Sequence, residues 1–324
     1  MARAGPVPAG ERPVRGRVAA SLLLRFLPVQ AAGQSDDAGH ECDDESTVRS
    51  AHDFLFLGPF LGPSRECTRV LSSPRRDHVT ATARFIGSGD SFGSGGRFQT
   101  CILIDAGGTR FTMDFGASSL VALRQQDIDP NSIDTILLTH LHGDHCAGVP
   151  FLLMDAMLGA RRRRPLTVAG PRDLRHRMFM IAEALFPGMH VMKPKFELNW
   201  IELEHGVPTP VGDIIVTARP VKHTWQTNPT ALRAEIAGKV VCYTGDGEFG
   251  EEMALAAKGA DLLVAECYFH DKPVPWHLNY PELLAHKADF DARRIVLTHM
   301  SPEMLARVDD VPEQCAYDGM VVEF

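Results

Sequence analysis

From about Ala83 onward, apolar residues come in short, nearly continuous runs that stop at a glycine, a proline or a charged residue. Residues 83–87, 101–105 and 110–114 have the length and composition of strands and are separated by glycine-rich turns. Residues 118–126 predict a helix with Ser118 at its N-cap, 133–139 a continuous apolar strand, and 147–158 a helix with apolar residues at helical spacing. The pattern continues with a strand at 166–169, a helix at 173–185, and strands at 214–220, 231–236 and 240–244. It closes with a helix at 251–258, a strand at 262–266, a helix at 281–287 and a strand at 295–298. Strands and helices alternate, hairpins included, so helices are expected on the outer faces of central sheets.

The first 80 residues differ in texture. They are rich in Pro, Gly, Ala, Arg and Ser, contain no Lys, and sustain neither a period of 2 nor one of 3.6. Poor order is expected there, which leaves 83–324 as one domain. Arg12, Arg15 and Arg17 precede the apolar run 18–24, and Ala31-Ala32-Gly33 resembles a cleavage site, but Arg25 and Pro28 interrupt the apolar stretch. A further expectation is that this segment is not translated and that the true start lies near Val79.

Composition narrows the class. At 324 residues and 44% hydrophobic content the chain can bury a large core. Its longest apolar stretches fall far short of the roughly 20 residues that span a bilayer, so no membrane partner is expected. Seven cysteines, an odd number with no C-x-x-C pair, suggest neither a disulfide framework nor a zinc ribbon, and place the protein in a reducing compartment, the cytoplasm. The net charge of −8 argues against nucleic-acid binding over the whole surface. Residues 1–80 carry 10 Arg against 10 Asp plus Glu, so the excess belongs to the remaining 23 basic and 31 acidic residues.

Chemistry enters at His140-Leu141-His142-Gly143-Asp144-His145, directly after the apolar run 136–138. Chance would give H-x-H-x-D-H roughly twice in a thousand chains of this composition. Divalent metals of borderline softness take imidazole nitrogen and accept carboxylate oxygen, so the cluster reads as a metal site at the end of a buried strand. Cys146 beside it reads as a small helix residue. Three later apolar strands also run out at a candidate ligand: His223 after 214–222, Asp246 after 240–245 and His299 after 295–298. Rigid strands ending on one sheet edge can aim such side chains at a single point.

With these residues in view, the segment from about 83 to 324 resembles the metallo-β-lactamase superfamily, and within it the ribonuclease Z branch. The resemblance rests on 139–145 followed by Gly148-Val149-Pro150, on 260–266, and on Leu297-Thr298-His299. It implies an α/β fold, an αββα sandwich of two mixed sheets flanked by helices. It also implies one metal on His140, His142 and His223 and a second on Asp144, His145 and His299, with Asp246 bridging. Two metals roughly 3.5–4 Å apart share one ligand and one hydroxide, and a carboxylate can offer both oxygens. Zinc is the expected metal for a nitrogen-rich set, and manganese or iron also fits the ligand types. His277 matches the branch's proton donor, with Glu266 orienting it. Asp114 resembles the first motif, as an orienting group or as a turn-forming residue. A homodimer is implied by the resemblance alone.

The reaction expected is hydrolysis of a phosphodiester in RNA or in a small or cyclic nucleotide, with Asp144 holding the attacking water and His277 protonating the leaving oxygen. Transfer RNA processing is the branch's familiar task, yet the long tRNA-gripping arm has no room here: 22 residues separate His223 from Asp246. Met300-Ser301-Pro302-Glu303 replaces the usual Arg-Tyr after the last histidine motif. Hydrolysis of a carbon ester, lactone, thioester or β-lactam uses the same ligand shell, and a non-catalytic metal protein is a third reading. The glycine-rich stretch 87–96 suits a phosphate cradle or a plain loop at the rim, and Arg161–Arg164 a phosphate contact or, preferably, a solvated turn.

Overall fold

Strands whose successive side chains are all apolar need cover on both faces, and the chain provides it by stacking two sheets and plating each with helices. A computed structural model describes residues 80–324. The readings made for the segment before Thr80 lie outside the described residues. The first sheet contains β1 (Thr82–Gly87), β2 (Cys101–Ala106), β3 (Thr109–Met113), β4 (Thr135–Leu137), β5 (Leu166–Gly170) and β6 (Leu198–Glu202). The second contains β7 (Thr209–Val211), β8 (Ile214–Pro220), β9 (Thr230–Ile236), β10 (Lys239–Tyr243), β11 (Leu262–Glu266), β12 (Ile295–Thr298) and β13 (Gln314–Cys315). The last strand, β14 (Val321–Glu323), returns to the first sheet beside β1. Both sheets are mixed: strand order is β14-β1-β2-β3-β4-β5-β6 in one and β13-β12-β11-β10-β9-β8-β7 in the other.

Period-2 alternation sorts the side chains into three cores. In β2, Ile102 and Ile104 face the space between the sheets while Cys101 and Leu103 face outward. In β11, Leu262 and Val264 face inward while Leu263 and Ala265 face outward. The outer face of the first sheet is covered by α1 (Ser119–Gln125), α2 (Gly143–Cys146), α3 (Gly148–Met154) and α4 (Leu174–Leu185). Helix α4 buries Leu174, Met178 and Ala182, one stripe at i, i+4, i+8. The second sheet's outer face carries α5 (Glu251–Ala257), α6 (Tyr280–Ala285), α7 (Lys287–Phe290) and α8 (Pro302–Leu305).

Several local expectations need correction. Ser118 does not cap α1: its backbone is helical, and its hydroxyl accepts the Gln99 amide at 2.8 Å. The helix expected at 147–158 begins earlier, at Gly143, and passes after Met154 into a π turn over Asp155–Gly159. Strands β6, β7, β13 and β14 were not expected; three of them have only two or three residues. Among the described residues, no helix is long and apolar enough to cross a membrane.

Candidate metal centre

Strands β8, β10, β11 and β12 run in one direction, because β9 is antiparallel to both β8 and β10, and β10, β11 and β12 pair in parallel. Their C-terminal ends therefore share one edge, and each releases a polar residue there: His223 after β8, Asp246 after β10, Glu266 at the end of β11 and His299 after β12. The first sheet supplies Asp114 after β3 and the cluster 140–145 after β4. The seven residues expected as ligands are all brought to this edge. The seven fall into two sets, His140 with His142 and His223, and Asp144 with His145, Asp246 and His299, each with its potential ligand atoms within 4.8 Å of one another; Asp246 and His299 also form a third such group with Glu266 and His277.

The spacing of the two sets suits cations. His140 Nε2 and His223 Nε2 each lie 3.1 Å from His142 Nδ1. His223 directs Nδ1 to the carbonyl of Trp276 at 2.6 Å, and His140 Nδ1 sits 3.0 Å from the Thr139 hydroxyl. Those partners take the ring protons of His140 and His223, so the two Nε2 atoms that converge on His142 carry lone pairs suited to a cation. In the second set, His145 Nε2 is 3.2 Å from Asp144 Oδ2 and 3.4 Å from Asp246 Oδ2, and His299 Nε2 is 3.4 Å from each of the same oxygens. Ligands about 2.0–2.1 Å from a tetrahedral zinc stand roughly 3.3 Å apart, which is the spacing of both sets. His145 Nε2 and Asp246 Oδ1 are buried without a hydrogen-bond partner. With Asp246 Oδ2 facing the second set, the unpartnered Oδ1 leaves this carboxylate free to serve both. The residues present thus fit two divalent cations.

Burial, then the neighbouring imidazoles, push His140 well below the ordinary histidine range, and His142 is lowered for the same reasons. Burial alone would raise Asp144 and Asp246, yet His145 and His299 outweigh it and hold both carboxyls below their ordinary value. His145 and His299 in turn are raised well above theirs: the carboxylates around them overcome burial, Asp246 foremost. His140 and His142 are thereby favoured as neutral nitrogen and Asp144 and Asp246 as anionic oxygen, while His145 and His299, which the same carboxylates favour in the protonated form, would give up a proton to ligate a cation.

Asp114 orders the cluster from beneath. It is fully buried, with a left-handed backbone at φ +60°. Its Oδ1 accepts the Thr139 amide at 2.7 Å, and its Oδ2 accepts His145 Nδ1 at 2.6 Å and the Thr139 hydroxyl at 2.8 Å. These contacts support the orienting reading made for it. Helix α3 backs the same loop closely: a Cβ on Gly148 would stand 2.1 Å from the carbonyl oxygen of Gly116.

Beside the two sets, Glu266 receives His277 Nδ1 on Oε1 at 2.5 Å, and the amides of Gly247 and Leu278 on Oε2 at 2.8 and 3.0 Å. Burial disfavours the charged form of His277, but the Glu266 carboxylate prevails and raises it. Tyr268, which the sequence did not single out, stacks on the His277 ring at 4.5 Å. Ser91 was also missed; its hydroxyl donates to Asp144 Oδ2 at 2.6 Å. The glycine-rich loop is no phosphate cradle, because Asp90 Oδ1 already takes the amides of Phe92 and Ser94. The Arg161–Arg164 run is neither a phosphate site nor wholly solvated: Arg162 is buried on Asp134 and several carbonyls, and Arg164 pairs with the same carboxylate. Cys146 is buried in the outer core.

Two mixed sheets packed face to face, with an imidazole and carboxylate cluster along one edge, define a metallo-β-lactamase-fold hydrolase. The chain belongs to the beta-lactamase superfamily, whose domain matches residues 100–300. It is 35% identical over 131 residues to a ribonuclease Z of Lachnoclostridium phytofermentans, a match spanning 40% of each chain. It is 30% identical over 218 residues to an uncharacterized protein of Mycobacterium leprae, covering 64% of this chain and 73% of that one. The short form of human tRNase Z superposes with a TM-score of 0.60 at 21% identity, covering 74% of this chain and 98% of that one.

Proposed function

We propose that this protein is a dinuclear phosphodiesterase acting on RNA or on a small or cyclic nucleotide. The observation that carries the reading is the Glu266–His277 pair, a proton donor built beside the ligand sets. Attack on a phosphodiester expels an alkoxide, which needs a proton as it leaves. Glu266 holds Nδ1 of His277 and so leaves Nε2 to deliver it. The similarity to a ribonuclease Z supports the same chemistry.

In this reading His140, His142 and His223 hold one divalent cation, Asp144, His145 and His299 hold the other, and Asp246 serves both. Zinc is the metal the nitrogen-rich set favours. The cations would supply Lewis acidity to the phosphoryl oxygens and an activated water. Asp144 would orient that water and accept its proton, while the Ser91 hydroxyl fixes the carboxylate. The five described cysteines are all free, which supports a reducing, cytoplasmic setting. A homodimer is retained from the family resemblance.

Turnover of bis(4-nitrophenyl) phosphate, dinucleotides, cyclic nucleotides and precursor tRNA by metal-quantified protein, with and without chelator, tests the proposal. Chelator-sensitive release of a phosphomonoester is expected. A metal-loaded protein that leaves every one of these diesters intact, yet opens a lactone or thioester, would transfer the reading to carbon esters.

A further inference from the structure

Catalysis leaves unexplained two of the chain's three tryptophans. Trp225 is 77% exposed and Trp276 55% exposed, although an indole is among the largest apolar surfaces a fold can bury. Both flank His223. Trp276 offers it a carbonyl, and Trp225 follows it by two residues, in a turn whose Thr227 carbonyl accepts the Leu141 amide of the ligand loop at 3.2 Å.

On its far side that turn is tied to the start of α4. Asn228 Nδ2 donates to the Arg172 carbonyl at 3.0 Å, and the Arg177 guanidinium donates to the Gln226 carbonyl at 3.0 Å. Arg172 and Arg177 are thereby tied to the turn that carries Trp225, and Arg175, whose guanidinium lies over the Phe179 ring at 5.6 Å, belongs to the same segment; all three are exposed. The segment 172–177 carries these three arginines against one acid, Asp173, in a chain of net charge −8. Arg110, Arg124, Arg162 and Arg164 each have a carboxylate partner. Among the described residues none of Arg172, Arg175 and Arg177 has one.

A bare indole next to unneutralised guanidinium groups is what a single strand requires: any base has a face to stack, and the phosphates between bases need cations. We propose that Trp225 with Arg172, Arg175 and Arg177 forms a groove that grips single-stranded nucleic acid as it enters or leaves the metal centre. The inference rests on the phosphodiesterase reading and names its substrate as a strand longer than one nucleotide. It also supplies a grip where the short connection from His223 to Asp246 leaves no room for an arm.

The test is fluorescence anisotropy of a 5′-labelled decauridylate with phosphorothioate linkages, and of an abasic strand of equal charge, on the metal-loaded protein. Three phosphate contacts give a slope of log affinity against log salt of about −2. Replacing all three arginines with glutamine should abolish that slope, and Trp225→Ala should weaken the decauridylate about tenfold without changing the abasic strand. Because Arg177 also donates to the Gln226 carbonyl, an R172Q/R175Q double variant, which should melt with the parent and lose about two thirds of the slope, is measured beside the triple one. An unchanged salt slope in the triple variant, or equal binding of the two strands by the parent, would overturn the proposal. Because the assay reads binding, tight salt-dependent binding of the phosphorothioate strand together with no cleavage of the all-phosphate decauridylate would refute the phosphodiesterase reading and leave the groove standing.

Discussion

Asp114→Asn should cost the protein affinity for both metals through a single atom. The Asp114 carboxylate accepts the Thr139 amide, the Thr139 hydroxyl and His145 Nδ1. The Thr139 hydroxyl, having given its proton to Asp114, accepts from His140 Nδ1. One buried carboxylate therefore fixes the tautomer of a histidine in each set and leaves Nε2 bare in both. Asparagine keeps the shape and tolerates the left-handed backbone, but its NH2 must face either the Thr139 amide or His145 Nδ1. Either choice opposes donor to donor, unless His145 moves its proton to Nε2 and stops ligating.

Loss of such an outer partner typically weakens a metal site about 10- to 100-fold, or roughly 1.4–2.7 kcal/mol. Competition against a chromophoric chelator, with metal counted per chain, measures it. Weakening of both sites is expected, the second more than the first because His145 is contacted directly. A variant that binds two equivalents within twofold of the parent's affinity would refute the account of Asp114.

Other perturbations separate catalysis from packing. His277→Ala should lower kcat about 10²- to 10⁴-fold with metal content unchanged, and Glu266→Gln should lower it less; parental kcat in both would remove the proton-donor role. Gly148→Ala drives a methyl into the Gly116 carbonyl, so it should lower melting temperature and metal affinity together, and a parental melt would show that the helix can yield. Glu313, whose side chain is 3% exposed, is pushed up by burial but held below the ordinary carboxyl range by Lys287 and Tyr280. Its stabilisation is thus complete above the unfolded value of about 4.3 and lost as pH falls through the folded one. Glu313→Gln should cost about 1–3 kcal/mol at pH 7 and flatten the acid limb of stability in urea titrations between pH 5 and 3; an unchanged acid limb would exclude Glu313 as its source.

The central strands were legible because they are buried on both faces. The strands expected at 214–220, 262–266 and 295–298 have the observed bounds of β8, β11 and β12. Edge strands were not legible: Leu198–Glu202 is only partly buried, and Thr209–Val211 holds a proline tolerable only at an edge. The candidate ligands could be read because each stands within a few residues of an apolar run. Ser91, Thr139 and Tyr268 could not, since what they do depends on contacts made across the fold. Ser91 meets Asp144 from 53 residues away, and nothing local announces it. Ser118 misled for the same reason, its hydroxyl serving Gln99 instead of its own helix.

Each ligand set is divided between the two sheets. His140 and His142 come from the first and His223 from the second, and likewise Asp144 and His145 face Asp246 and His299. Neither half of the chain owns a complete site, so the affinity for cations is also an adhesion between the sheets, added at the one edge where the apolar core gives way to polar groups. Ions held there would act as rivets. Occupancy and cohesion then rise and fall together, and any substitution that lets the sheets slide will register as a loss of metal before it registers as a loss of fold.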